Sequence, residues 1–187
     1  MPTQSLHRVT AEEYLGAEAR GETRREFVRG QLFDMVGGTD RHNLISLNIA
    51  SGLRERLRGG PCRVFMADMK VRVEAADVFY YPDVLVTCDP ADRQPYYKER
   101  PALVVEVLSD TTEGTDRREK FLAYELLESV REYVLVHQSR REVEVFRRET
   151  RESAWVRSIH AGEDEVSFRS VGVSLALTEI YEGLNPP

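Results

Sequence analysis

Asp83 and Glu106 put carboxylates where the surrounding sequence is otherwise apolar. Asp83 follows Pro82 and opens the run Val84, Leu85, Val86; Glu106 interrupts Leu103, Val104, Val105 ahead of Val107 and Leu108. Continuous apolar runs of this length read as strands covered on both faces. A lone carboxylate there costs several kcal/mol unless a cation, a metal or a proton compensates it. If the two runs are neighbouring strands, Asp83 and Glu106 converge at one end of a sheet. Two carboxylates, with a main-chain carbonyl and water, then form a hard-oxygen site suited to Mg²⁺ or Mn²⁺. The competing expectation is that Asp83 caps a strand end and Glu106 pairs with a buried arginine. Downstream, Asp116, Lys120 and Tyr124 follow at intervals of four and drift slowly around one helix face. Turned towards the strand ends, Lys120 would orient a water or stabilise charge developing on a phosphate. Turned to solvent, Asp116 and Lys120 would be an ordinary surface pair beside a core tyrosine.

Positioning these groups requires a mixed sheet. Thr10 and Glu13 form a capping-box signal for a short helix over residues 10–20. Arg25 to Phe33 reads as two short strands turning near Gly30, and Ile45, Ile49, Leu53 and Leu57 mark a helix from about Arg41 to Leu57, stopped by Gly59, Gly60 and Pro61. Strands follow at 64–66, 70–74, 84–86 and 103–105, then a helix from about Glu113 to Ser129 and a buried strand at Tyr133–Val136. Glu142 to Val145 alternates as half of a hairpin with a strand around Trp155, and the tail from Leu175 to Leu184 reads as a terminal strand and a short helix. The expected class is α/β (α+β mixed sheet), with helices packed against a mixed central β-sheet.

The ordered series Pro82-Asp83, Glu106 to Ser109, Asp116 to Lys120 with Tyr124, and Arg131 to Val136 resembles the Uma-two family of restriction endonucleases, a bacterial branch of the PD-(D/E)XK nuclease superfamily. Glu26 with Gly30 and Met35 resembles the family's Tyr-Glu…Asp-Gly segment, and His42 falls where a histidine opens the long helix. The resemblance spans about residues 8–180. It implies one restriction-endonuclease-like domain over 1–187: an N-terminal helix and hairpin at 8–36, a nuclease core at about 41–137, and a C-terminal hairpin and tail at 138–187. It also implies a metal held by Asp83, Glu106 and the carbonyl of Val107, with Mg²⁺ or Mn²⁺ as cofactor and DNA as substrate. The superfamily's lysine is expected two residues after the glutamate, but position 108 is Leu; the family supplies it from the next helix, here as Lys120. Ser109, Asp110, Thr111 and Thr112 stand where Ser-Pro-Ser-Thr is usual, and Arg24-Arg25 replaces an aromatic. Glu26 becomes a further ligand or base, or else pairs with an arginine. His42 contacts the scissile phosphate or acts as a base, or else simply caps its helix. Many enzymes of this fold pair to cut two strands, so a homodimer is one implied assembly. Two alternatives stay open: a catalytically inactive nuclease-fold binding or scaffolding module, and a hydrolase of another substrate.

Other features narrow the classes. No apolar run approaches the length of a membrane helix, and residues 1–21 lack the apolar stretch of a secretion signal, so the expected location is the cytoplasm. Cys62 and Cys88 are too few for a disulfide scaffold or a cysteine zinc site, and His7, His137 and His160 lack metal-ligand spacing. Gly37-Gly38 has no following Gly-Lys-Ser/Thr, and Ser109 has no Gly-x-Ser-x-Gly context, which removes a P-loop and a hydrolase elbow. Asp68 and Lys70 line either a channel or a solvated strand edge, and the arginines from Arg140 to Arg151 read first as a solvated hairpin, second as a phosphate-contacting edge. A net charge of −6 excludes non-specific coating of nucleic acid. It leaves room for a cleft whose local field differs from the whole-chain sum.

Overall fold

The computed structural model describes residues 8–21, 24–35, 37–109 and 112–184. His7, Asp110 and Thr111 lie outside the described residues. Helix α1 (Ala11–Glu18) begins with the reciprocal cap that the sequence predicts: Thr10 Oγ1 accepts from the Glu13 N–H, and the Glu13 carboxylate accepts from the Thr10 N–H. Strands β1 (Arg25–Val28) and β2 (Gln31–Asp34) turn through Arg29 and Gly30, at φ of 50° and 84°. Two consecutive positive φ values are what a twisted two-residue hairpin demands. Helix α2 (Asp40–Arg56) is capped by Thr39 Oγ1 and buries Ile45, Ile49 and Leu53 on one stripe.

The remaining strands are β3 (Arg63–Met66), β4 (Lys70–Val73), β5 (Val78–Tyr80), β6 (Val84–Thr87), β7 (Tyr97–Lys98), β8 (Leu103–Leu108), β9 (Glu132–His137), β10 (Glu142–Arg147), β11 (Val156–Ala161), β12 (Glu165–Phe168) and β13 (Val173–Ala176). Between β8 and β9 lie α3 (Glu113–Thr115), a π-helical segment (Asp116–Lys120) and α4 (Phe121–Glu125); α5 (Leu177–Ile180) ends the described elements. A six-stranded sheet runs β11-β10-β9-β8-β6-β3, a five-stranded one β2-β1-β5-β4-β7, and β12 pairs with β13. Within the six-stranded sheet β8 and β9 are parallel and the other pairs antiparallel. A parallel pair needs a crossover, and the helical stretch after Glu113 supplies it.

The six-stranded sheet is covered on both faces. Val84, Val86, Leu103, Val105 and Val107 pack towards α2, β13 and α5, while Leu85, Val104 and Leu108 pack towards β4, β5 and Tyr124. Alternation along β8 therefore sends Glu106 to the second face, with Val104 and Leu108. The short strands β5, β7 and β12 escape the periodicity because two to four residues are too few to show it.

Cys62 and Cys88 form one disulfide, because β3 and β6 pair with Arg63 opposite Thr87 and so bring the preceding and following residues together; a single bridge is not a disulfide scaffold. One expectation needs correction. The arginines of the β10–β11 hairpin are not all solvated. Arg147 Nε donates to Glu132 at 2.6 Å, and Arg148 is buried against main-chain carbonyls. Alternation also turns Glu144 inward, where it accepts from Arg117, from Arg157 Nε at 2.7 Å and from His137. Burial pushes its carboxyl up, but these donors outweigh burial and bring it from 4.5 down to about 2. A folded value below the unfolded one stabilises the protein fully above pH 4.5 and loses that contribution as pH falls towards 2. Glu144→Gln is expected to remove on the order of 3 kcal/mol at neutral pH and to flatten the acid limb of the stability curve. Urea unfolding at a series of pH values checks it.

Candidate active site

Glu26 reaches the interior from β1 because that strand pairs with β5, and the main-chain N–H of Tyr81, just past β5, donates to Glu26 Oε1 at 3.3 Å. Asp83 immediately precedes β6. The pairing of Val84 with Val105 sets Asp83 across from Glu106, and Asp83 Oδ2 accepts from the Val107 N–H at 2.7 Å. His42, in the first turn of α2, places Nε2 3.2 Å from the same Asp83 oxygen. Asp116 and Lys120 begin and end the π-helical segment. Its wider turn lets both point inward, a distortion that recurs at functional sites.

Three carboxylates, Glu26, Glu106 and Asp116, meet at Lys120. Its Nζ lies 3.1 Å from Asp116 Oδ1, 3.2 Å from Glu106 Oε1 and 3.3 Å from Glu26 Oε1, and 5.7 Å from the centre of the Tyr80 ring. Tyr124 OH donates to Glu106 Oε1 at 3.4 Å, and Tyr133 OH to the Asp116 carbonyl at 2.9 Å. Asp116, Glu106 and Lys120 are buried, with side-chain exposures of 2%, 3% and 8%, whereas His42 and Asp83 stand at 20%. The site therefore has a closed floor and an open side at α2.

The electrostatics follow from that layout. Burial raises the Glu106 carboxyl well above its usual range; Lys120 pulls it back, and Asp116, Asp83 and Glu26 push it further up. Burial alone would lower Lys120, but Glu106, Glu26 and Asp116 together hold it raised and protonated. The hydrogen bond that His42 donates to the Asp83 carboxylate raises His42 against the opposing effect of burial. Carboxylate charge exceeds the one buried ammonium, which is the condition a hard divalent cation relieves.

Glu26, Glu106 and Lys120 are thus brought together with Asp116, while His42 and Asp83 form a second pair, joined to the first group through the Val107 main chain next to Glu106. The partner of Glu106 is a lysine, not the arginine of the competing expectation, and Asp116 with Lys120 is a buried pair, not a surface one. Tyr81, which anchors Glu26, and Tyr133, which anchors the π segment, carry no mark of their own in the sequence pattern; only the run Tyr80, Tyr81, Pro82, Asp83 signals the first. Lys70 is buried too, with Nζ 3.0 Å from Tyr81 OH and 3.6 Å from Glu18 Oε2, while Asp68 is exposed and pairs with Arg24. Among the described residues, His137, Glu142 and Glu144 bring three possible ligand atoms within 4.8 Å of one another. Arg117, Arg140 and Arg157 already engage them, so guanidinium groups supply the positive charge there.

A mixed sheet flanked by helices is the architecture of the restriction-endonuclease-like fold. A profile of the Uma2 family, described as "Putative restriction endonuclease", matches residues 11–178, and the chain belongs to that family. In Synechocystis sp. (strain ATCC 27184 / PCC 6803 / Kazusa), "Uncharacterized protein slr1290" is 33% identical over 184 residues, covering 98% of this chain and 96% of the relative. From the same organism, "Uncharacterized protein sll1609" is 27% identical over 164 residues, covering 86% and 92%. The crystal structure of a "putative nuclease belonging to DUF820" from Anabaena variabilis ATCC 29413 superposes with a TM-score of 0.72 at 15% identity, covering 92% of this chain and 97% of that one. At that identity the likeness concerns the fold. No described helix is long and apolar enough to cross a membrane.

Proposed function

We propose that this protein is a metal-dependent endonuclease that hydrolyses phosphodiester bonds of DNA. The observation that carries the reading is the convergence of Glu26, Glu106 and Asp116 on Lys120, with Asp83 bonded across to the Val107 N–H. Asp83, Glu106 and the Val107 carbonyl would hold Mg²⁺ or Mn²⁺. Their fit rests on donor chemistry: the set is all oxygen, and its buried negative charge exceeds what Lys120 offsets. When bound, such a cation polarises the phosphodiester and acidifies water. The protonated Lys120 orients the attacking water and stabilises charge developing on the phosphate. Glu26, fixed by the Tyr81 N–H, and His42, fixed by Asp83, support these groups from the strand and helix sides. The Lys120 ammonium takes the role that a lysine at position 108 would otherwise fill.

The test is cleavage of single-stranded, duplex and branched DNA with Mg²⁺ or Mn²⁺, with and without chelator. Cleavage is expected to need the cation and to fail in Asp83→Ala. A well-folded Asp83→Ala protein that cuts at the wild-type rate overturns the assignment. Cation binding without cleavage of any DNA form points to a hydrolase of another substrate. No effect of millimolar cation on melting temperature points to a binding module.

A further inference from the structure

Lys120 has three carboxylate neighbours within 0.2 Å of equal distance: Asp116 at 3.1 Å, Glu106 at 3.2 Å and Glu26 at 3.3 Å. Of these, Glu106 is also a proposed cation ligand. Its Oε1 already serves both Lys120 and Tyr124. An ammonium and a divalent cation on one buried carboxylate repel strongly, because little solvent screens them. A buried ammonium that gives up Glu106 still needs a counter-ion, since leaving it uncompensated is costly. Asp116 supplies one. It is buried, sits on the same helical segment one wide turn earlier, and its Oδ1 accepts no hydrogen bond besides its ion pair with Lys120.

Resting on the nuclease reading above, we propose that Lys120 and the divalent cation compete for the Glu106 carboxylate, and that Asp116, with Glu26, is the anchor that keeps the lysine in the site once Glu106 is taken. Lys120 is then both the occupant that keeps the carboxylate cluster neutralised and the group already in place for catalysis. The π-helical turn matters here, because it presents Asp116 and Lys120 to the same space from one helical segment. Asp116 is accordingly a positioning residue: it acts through Lys120 and holds no ligand itself.

Calorimetric titration of the full chain with Mn²⁺ tests this without reference to cleavage. Lys120→Met is expected to bind Mn²⁺ about tenfold more tightly than wild type, although it removes the catalytic lysine. Asp116→Asn is expected to weaken binding about tenfold in the wild-type background and to lose most of that effect when combined with Lys120→Met. Simple summation of charges predicts the same Asp116→Asn penalty in both backgrounds, and that result overturns the competition. So does a Lys120→Met protein that binds no more tightly than wild type while Glu106→Gln abolishes binding; the metal site then stands and only the competition falls. If neither wild type nor Lys120→Met binds Mn²⁺, the nuclease reading and this inference fall together. Should circular dichroism show Lys120→Met unfolded, Lys120→Gln takes its place with the same expectation.

Discussion

Glu106→Gln is expected to leave the protein folded, at least as stable as wild type, and without measurable DNA cleavage. The two effects have opposite signs for one reason. Burial raises the Glu106 carboxyl, so keeping it ionised in the folded state works against stability at neutral pH. The sign is that of a raised acid: its ionisation favours the unfolded chain as pH rises. Glutamine has the same shape, removes that cost, and leaves Lys120 with Asp116 and Glu26. The amide is a much poorer ligand for a hard cation than a carboxylate. The loss in cleavage rate is therefore expected to be about 10³-fold or more. Steady-state cleavage assays beside urea unfolding of the same preparation check both halves. More than a tenth of wild-type activity at saturating Mn²⁺, or a stability loss above about 2 kcal/mol, contradicts the reading of Glu106 as a strained functional carboxylate.

Arg148→Ala carries the largest expected stability effect, on the order of 4 kcal/mol. Its guanidinium donates to the carbonyls of Val130 at 2.9 Å, Glu125 at 3.0 Å and Leu127, and lies 4.6 Å over the Trp155 ring. Those carbonyls belong to the end of α4 and the turn after it, where a helix runs out of internal donors. Truncation leaves them without that donor and opens a gap beside Trp155. Arg148→Lys restores one charge but not the three-way fork, and is expected to recover less than half of the loss. Because α4 continues the segment that carries Lys120, the variant is also expected to lower cleavage, but less than Glu106→Gln does. Equilibrium urea unfolding reads the first effect; a loss below about 1 kcal/mol contradicts the capping role.

Much of this protein is legible in one dimension. The reciprocal cap of α1, the hairpin at Gly30, the α2 stripe and the doubly covered strands β6 and β8 follow from capping chemistry, turn residues and hydrophobic period, all of which are local. So does the anomaly at Glu106, since a carboxylate inside an apolar run stands out without any knowledge of its partner. Local information fails for contacts set by distant registers. Nothing near position 62 announces Cys88, nothing near position 148 announces the α4 carbonyls, and nothing near position 26 announces Tyr81. The sequence by itself determined which residues are chemically out of place: Asp83, Glu106 and the spaced Asp116, Lys120 and Tyr124. Only the tertiary structure decided that Asp116 and Lys120 face inward, because an α-helical period leaves the choice between solvent and core open. A π turn, the pairing of β6 with β8 and the delivery of Glu26 through β1 and β5 together close that choice around one ammonium.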